Sequence, residues 1–314
     1  MGIFTSAIIL IGLFLVLGLS ADFAVKNIKY IASSLKVKML VLGAILGITT
    51  ALPELSVGIN ASIKGISGLS AGNILGGITV IIGLILGVSL ILHKTICTKE
   101  TIKTLIPSLI VILSPFLLGT DGKFSQIDGL IMIALYIGLI IYLYKTTGTR
   151  SLPRESIIII EKKKISKSLF YAMAGIVVVL LSSHWIVEIA STLLEETGIS
   201  KFMMGLLVFS IGTNLPEITI ALTSWKRKAS ELSISYLISS SFSHIFVLGL
   251  LATMKPIHFE MGPAYYVLVF FLSLIMILFT IFAYTDKKLS RKEGFVLLFA
   301  YLAFLIINIY IAGN

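Results

Sequence analysis

Glu54 and Glu217 each lie inside a long apolar stretch and directly after a proline, in Thr50-Ala51-Leu52-Pro53-Glu54 and Thr213-Asn214-Leu215-Pro216-Glu217. An ionisable group deep in a membrane span costs about 2.5 kcal/mol or more on insertion scales, so such groups are rare and usually functional. Proline supplies no backbone N–H, so in a continuous helix Pro53 would leave the Thr49 carbonyl unpaired and Pro216 the Gly212 carbonyl. In lipid those oxygens need a partner. Thr50 and Thr213 each precede a glutamate by four residues, which in an unbroken helix sets hydroxyl and carboxylate on one face. Carboxylates, hydroxyls and freed carbonyls together make an all-oxygen cage suited to a hard cation with a flexible shell. Ca2+ takes about 6 to 8 oxygens and Mg2+ demands stricter octahedral geometry, while soft metals want Cys or His ligands that these motifs lack. For one motif alone, a kinked helix whose glutamate caps a neighbour is an equal reading; two copies in register argue against it.

The elements that must position these residues are membrane helices. Hydrophobic residues make up 57% of the 314 and charged ones 13%, with a mean hydropathy of +1.05, whereas soluble domains carry about 25% charged residues. Spans of about 20 apolar residues are expected near 4–31, 37–63, 69–92, 102–119, 126–144, 168–194, 202–225, 232–253, 262–283 and 294–312. The first lacks a basic lead-in, which argues for a membrane helix rather than a cleaved signal. With both termini extracellular, ten spans put 21 of the 25 Lys and Arg residues on the cytoplasmic side. Lys64, Lys123, Lys201 and Lys255 are left on the other, in keeping with the positive-inside rule. The net charge of +10 thus reflects topology in a multi-pass cell-membrane protein whose partner is the bilayer, not nucleic acid. One cysteine, Cys97, excludes an internal disulfide.

Slid against itself by 163 residues, the chain aligns not only the two Pro-Glu segments but also Lys38 with Lys201, Ser20 with Ser183 and Ser70 with Ser233. The expected organisation is a first repeat over 1–144, a cytoplasmic linker over 145–167 and a second repeat over 168–314. Five spans per half is odd, so the second half must insert upside down. The fold class is therefore an all-α polytopic membrane protein: ten helices in two inverted five-helix repeats, with helices 2 and 7 broken at proline.

These residues resemble the calcium/cation antiporter superfamily, the sodium/calcium exchangers and their prokaryotic relatives. Its members carry two Gly-Thr-Ser-Leu-Pro-Glu-like segments, each followed by a Gly-Asn-rich helix. The counterparts are Ile48-Thr49-Thr50-Ala51-Leu52-Pro53-Glu54 with Gly72-Asn73-Ile74-Leu75-Gly76, then Gly212-Thr213-Asn214-Leu215-Pro216-Glu217. The resemblance implies a secondary antiporter, not an enzyme, without a resident cofactor, transporting Ca2+ against Na+ or H+. It implies alternating access, with the first and sixth helices sliding across a fixed bundle. By position, Glu54 and Glu217 would be shared cation ligands, Thr50 and Thr213 would add oxygens, and Ser210 a backbone oxygen.

The departures bear on coupling. Where Na+-binding members offer Asn or Asp in the helix after each Pro-Glu segment, this chain has Ile81 and His244. Ser235-Tyr236 replaces the second Gly-Asn, and Thr49 stands where the pattern has Gly. Asn73, Ser240 and His244 are candidates for a coupling-ion or proton site, since histidine titrates near neutrality; a histidine merely hydrogen-bonded among the serines around it is an equal reading. Asp22, His184 and Glu188 read as packing or snorkelling groups before path-lining ones, and Asp128 and Glu293 as helix-start acids. A cation channel is the competing class, since mid-membrane acids also build filters. A hydrolase using Ser243 and His244 is disfavoured because adjacent helix residues point apart.

Overall fold

The computed structural model describes residues 2–34, 49–93, 95–97, 102–147, 165–226, 230–285 and 288–313. The helices are α1 (Ile3–Ser34), α2 (Leu52–Ile63), α3 (Ser67–Thr79), α4 (Leu86–His93), α5 (Ile102–Leu118), α6 (Gln126–Thr147) and α7 (Ile165–Thr197), then α8 (Lys201–Met204), α9 (Ser210–Thr213), α10 (Leu215–Lys226), α11 (Ser230–Met254), α12 (Pro263–Thr285) and α13 (Arg291–Gly313). A π-helical segment, Val80–Ile85, joins α3 to α4, and a second, Gly205–Phe209, joins α8 to α9.

Among the described residues, eight helical runs are long and apolar enough to cross a membrane, and Leu105–Leu118 is a shorter apolar helix at the fourth expected span. Residues 37–48 of the second expected span, 148–164 of the expected linker, and the loop residues Lys36, Lys38, Lys94, Lys99, Arg227, Lys228 and Lys287 lie outside the described residues. Large apolar side chains stand outward along these helices, Phe4, Leu117 and Phe299 among them, as a lipid-facing surface requires.

The chain is all-helical as expected, and among the described residues two short antiparallel ladders clip loops together. β1 (Thr95–Cys97) pairs with β4 (Lys288–Ser290), and β2 (Lys123–Phe124) pairs with β3 (Ile257–His258). The helix-start acids act as expected. Asp128 Oδ2 accepts from the Ser125 backbone N–H at 2.8 Å while Ser125 Oγ accepts from the Asp128 N–H at 3.2 Å, a reciprocal capping box. Glu293 likewise accepts from the Ser290 N–H.

With no aqueous driving force between helices in lipid, close approach depends on small residues. A Cβ on Gly72 of α3 would stand 2.1 Å from the Phe202 carbonyl oxygen, and one on Gly205 would stand 2.1 Å from that of Leu69, so α3 and the α8–α9 rod cross backbone to backbone. Gly129 of α6 meets Gly249 of α11 in the same way, as Gly87 of α4 meets Gly294 of α13. Buried apolar side chains fall into two clusters. The larger spans α3 to α6 and α11 to α13. The smaller joins Leu10, Phe14 and Leu17 of α1 to Ile186 and Val187 of α7 and Val57 of α2.

Candidate cation site

Both Pro-Glu helices start at a break. Ala51 (φ −87°, ψ 8°) precedes α2 and Asn214 (φ −87°, ψ 13°) precedes α10, so Glu54 and Glu217 each occupy the first turn of a new helix. The helical spacing drawn from sequence is corrected here. Thr50 and Thr213 lie on the far side of the break from their glutamates, and i to i+4 geometry does not apply. Thr213 Oγ1 turns instead to Asn73 Oδ1 of α3 at 3.0 Å and to the Phe209 carbonyl at 3.1 Å. The Ser210 carbonyl accepts from Asn214 Nδ2 at 2.7 Å. Thr49 is buried and Thr50 half-buried just before the first break. Gly212 is covered by the Phe14 ring of α1, which a Cβ would meet at 2.4 Å.

Glu54 and Glu217 are each 1% exposed and close enough for their charges to interact. They are tied together through α11. Glu217 Oε1 accepts from Ser240 Oγ at 3.0 Å and from the Tyr236 hydroxyl at 3.4 Å. The Ser240 carbonyl receives His244 Nδ1 at 2.8 Å, and His244 Nε2 stands 3.8 Å from Glu54 Oε1. A carbonyl can only accept, so Nδ1 carries the proton and the Nε2 of a neutral ring is a lone-pair acceptor. Two acceptors then face each other across 3.8 Å in the protein interior, an arrangement that a proton or a cation between them would relieve.

Neighbouring polar atoms share this lack of protein partners. Among the described residues, both Glu54 oxygens, Glu217 Oε2, Asn214 Oδ1, Asn73 Nδ2 and His244 Nε2 are buried without a hydrogen bond. Buried polar groups are ordinarily satisfied, and each exception asks for an explanation. No three His, Cys, Asp or Glu side chains close on one point among the described residues, so a cation here would draw on amide, hydroxyl and backbone oxygens besides the carboxylates. Gly77 makes the room, since a Cβ there would stand 2.8 Å from Asn214 Nδ2 and 3.0 Å from His244 Nε2. Ile81 is fully buried in the π segment beyond it.

Asn214, Tyr236 and Gly77 were not singled out as site residues from sequence. Only the replacement of Gly-Asn by Ser235-Tyr236 hinted at one of them. The sequence also contains a Gly-x-Ser-x-Gly match, Gly68-Leu69-Ser70-Ala71-Gly72. It lies along α3 rather than on a strand-to-helix elbow, and Ser70 is fully buried with its hydroxyl on the Gly58 carbonyl at 3.5 Å. That placement gives no support to a nucleophile. Asp22 pairs with Lys26 one turn on, Glu188 pairs with Lys64, and the His184 ring packs against Trp185.

The sequence profile described as sodium/calcium exchanger protein matches residues 5–145 and 167–310. A membrane protein of Methanocaldococcus jannaschii, MJ0091, is 29% identical over 93% of this chain and 94% of its own length. The sodium/calcium exchanger MaX1 of Methanosarcina acetivorans is 25% identical over 97% and 98%. Among solved structures, the sodium-calcium exchanger NCX_Mj soaked with 10 mM Na+ and 10 mM Sr2+ superposes with a TM-score of 0.64 at 28% identity, covering 94% of this chain and 97% of that one. A profile that spans both halves, and relatives matched along nearly their whole length, place this multi-pass membrane chain in the sodium/calcium exchanger family.

Proposed function

We propose that this chain is a secondary active antiporter that moves Ca2+ across a cell membrane in exchange for Na+ by alternating access. The observation that carries this reading is the pair of buried glutamates set among polar atoms that lack protein partners. The ligand set would comprise Glu54 and Glu217 with oxygens of Thr50, Thr213, Thr49, Gly212, Ser210 and Asn214. Two carboxylates balance one divalent charge, and a mixed oxygen shell suits Ca2+ better than Mg2+.

The reading includes ten helices in two inverted repeats, termini outside and the 145–167 linker in the cytoplasm. Two features support a two-fold relation between the halves, which the odd number of spans per half turns into an inversion. The ladder β1–β4 has as its counterpart under the repeat the ladder β3–β2. The α4–α13 glycine crossing likewise has the α11–α6 crossing as its counterpart. A two-fold axis turns each contact between the halves into a second, equivalent one, as repeats related by such an axis require.

Proton exchange is the second reading for the counter-ion. It is favoured by Ile81, which offers no ligand, and by His244, whose Nε2 stands beside Glu54 at a position where the family resemblance implies Asn or Asp. Flux of 45Ca2+ into proteoliposomes, with Na+, K+ and H+ gradients imposed separately, tests both. Saturable uptake driven by a Na+ gradient is the expected result. Uptake driven by a pH gradient alone would move the counter-ion to H+, and unsaturable flux needing no counter-ion would replace the antiporter by a channel. In the same assay, Ser240→Ala should raise the half-saturating Ca2+ about 10-fold by removing a hydrogen bond to a charged acceptor. Tyr236→Phe should shift it less, its bond being the longer at 3.4 Å.

A further inference from the structure

Of the four basic residues on the sparsely charged face, Lys64 and Lys123 pair with Glu188 and Asp121. Lys201 and Lys255 have no carboxylate partner among the described residues. Their ammonium groups donate instead to backbone carbonyls at the end of α2, Lys255 Nζ to Ser62 at 3.1 Å and Lys201 Nζ to Gly65 at 3.4 Å. An ammonium has three N–H donors, so each keeps donors to spare.

Both lysines line one cavity of about 240 Å3, together with Ser62, Ser67, Gly68 and His258. Ser67 and Gly68 open the 13-residue helix α3, whose N-cap, Ile66, supplies no side-chain acceptor. The partial positive charge of that helix end therefore lies on the cavity wall without a side-chain cap. Ser62 Oγ is buried and has no hydrogen-bond partner. Ser67 Oγ accepts from the His258 backbone N–H at 3.3 Å, which helps close the far side. Two like charges, an uncapped helix start and an unused hydroxyl share a small space that holds no acid. Anions held by helix N-termini and by charge-assisted donors answer that chemistry.

We propose that this cavity binds an oxyanion of the phosphate class, either free or as the headgroup of an anionic phospholipid, held by Lys201, Lys255, Ser62 and the first N–H groups of α3. The proposal is independent of the transported ion, and its test involves no transport. Thermal unfolding of the purified full-length chain in a neutral detergent is measured with increasing inorganic phosphate, against sodium chloride at matched ionic strength. In parallel, native mass spectrometry follows which lipid stays bound after exposure to equal amounts of phosphatidic acid and phosphatidylcholine. Wild type is expected to gain Tm saturably with phosphate but not with chloride, or to retain phosphatidic acid selectively. The first result assigns a free anion and the second a lipid headgroup. Combining Lys201→Gln with Lys255→Gln should abolish the response, and the corresponding Arg pair should keep it. Ser62→Ala leaves both lysine struts in place and should weaken the phosphate midpoint about 5-fold, which keeps the test decisive if the Gln pair does not fold. A wild-type response indistinguishable from chloride together with no lipid selectivity, or a response unchanged by Ser62→Ala, would overturn the assignment.

Discussion

Proteoliposomes carrying Glu54→Gln or Glu217→Gln are expected to exchange 45Ca2+ at least about 100-fold more slowly than wild type under the same gradients. Each substitution keeps the size of the side chain and removes one negative charge from a buried ligand set. Taking one charge from a buried ion pair costs about 3–5 kcal/mol, and about 2.7 kcal/mol already amounts to 100-fold. Glu217 is braced by Ser240 and Tyr236, while Glu54 has the Thr213 hydroxyl nearby but no hydrogen bond of ordinary geometry. Glu54→Gln therefore leaves a less constrained side chain, and residual exchange should be lower in Glu217→Gln, where the bracing hydroxyls lose a charged acceptor. Wild-type flux in either variant would remove the site.

The second large effect concerns the fold. Gly205→Ala should lower the Tm of the detergent-solubilised protein by roughly 2–5 °C, because overpacking costs about 1–3 kcal/mol and this site cannot relax. The added methyl would lie 2.1 Å from the Leu69 carbonyl oxygen and 2.8 Å from the Asn73 nitrogen, both backbone atoms. Gly138→Ala is the matched control: it lies in α6 and its Cβ would meet nothing within 4 Å. There a methyl should leave Tm unchanged or raise it slightly through helix propensity. Equal melting of the two variants would show that the crossing of α3 with the α8–α9 rod is looser than described.

The reading from sequence was strongest where one physical cost dominates. A glutamate after proline inside an apolar run has few inexpensive explanations, and two in register pointed to residues that the fold does bury, near enough for their charges to interact. Asp128 and Glu293 were equally legible, since capping is local and needs only a few neighbouring residues. What stayed hidden depends on contacts across more than a hundred residues. The Thr213 hydroxyl could not be known to bond Asn73 rather than line up with Glu217, because that choice follows from where the helix breaks. Gly77 looks like any glycine until His244 and Asn214 are brought against it. The two π segments have no sequence period that separates them from α-helix, yet one of them carries Ile81 and both flank the site, as such bulges often do.

The two outer helices hold the site by different means. Near the second break, α1 packs through Phe14, which lies over Gly212 and stacks edge-on against Phe209 at 5.2 Å, and through Gly18, which accommodates Leu215. α7 is pinned to α2 by Ser183, which bonds Ser56 at 2.5 Å and Asn60 at 2.9 Å, and by the Glu188–Lys64 pair. Displacing α1 along the break would forfeit no directional bond among these, while the same displacement of α7 would sever two and an ion pair. One arm thus meets its break through side-chain packing, while the other is fastened to α2 by directional bonds.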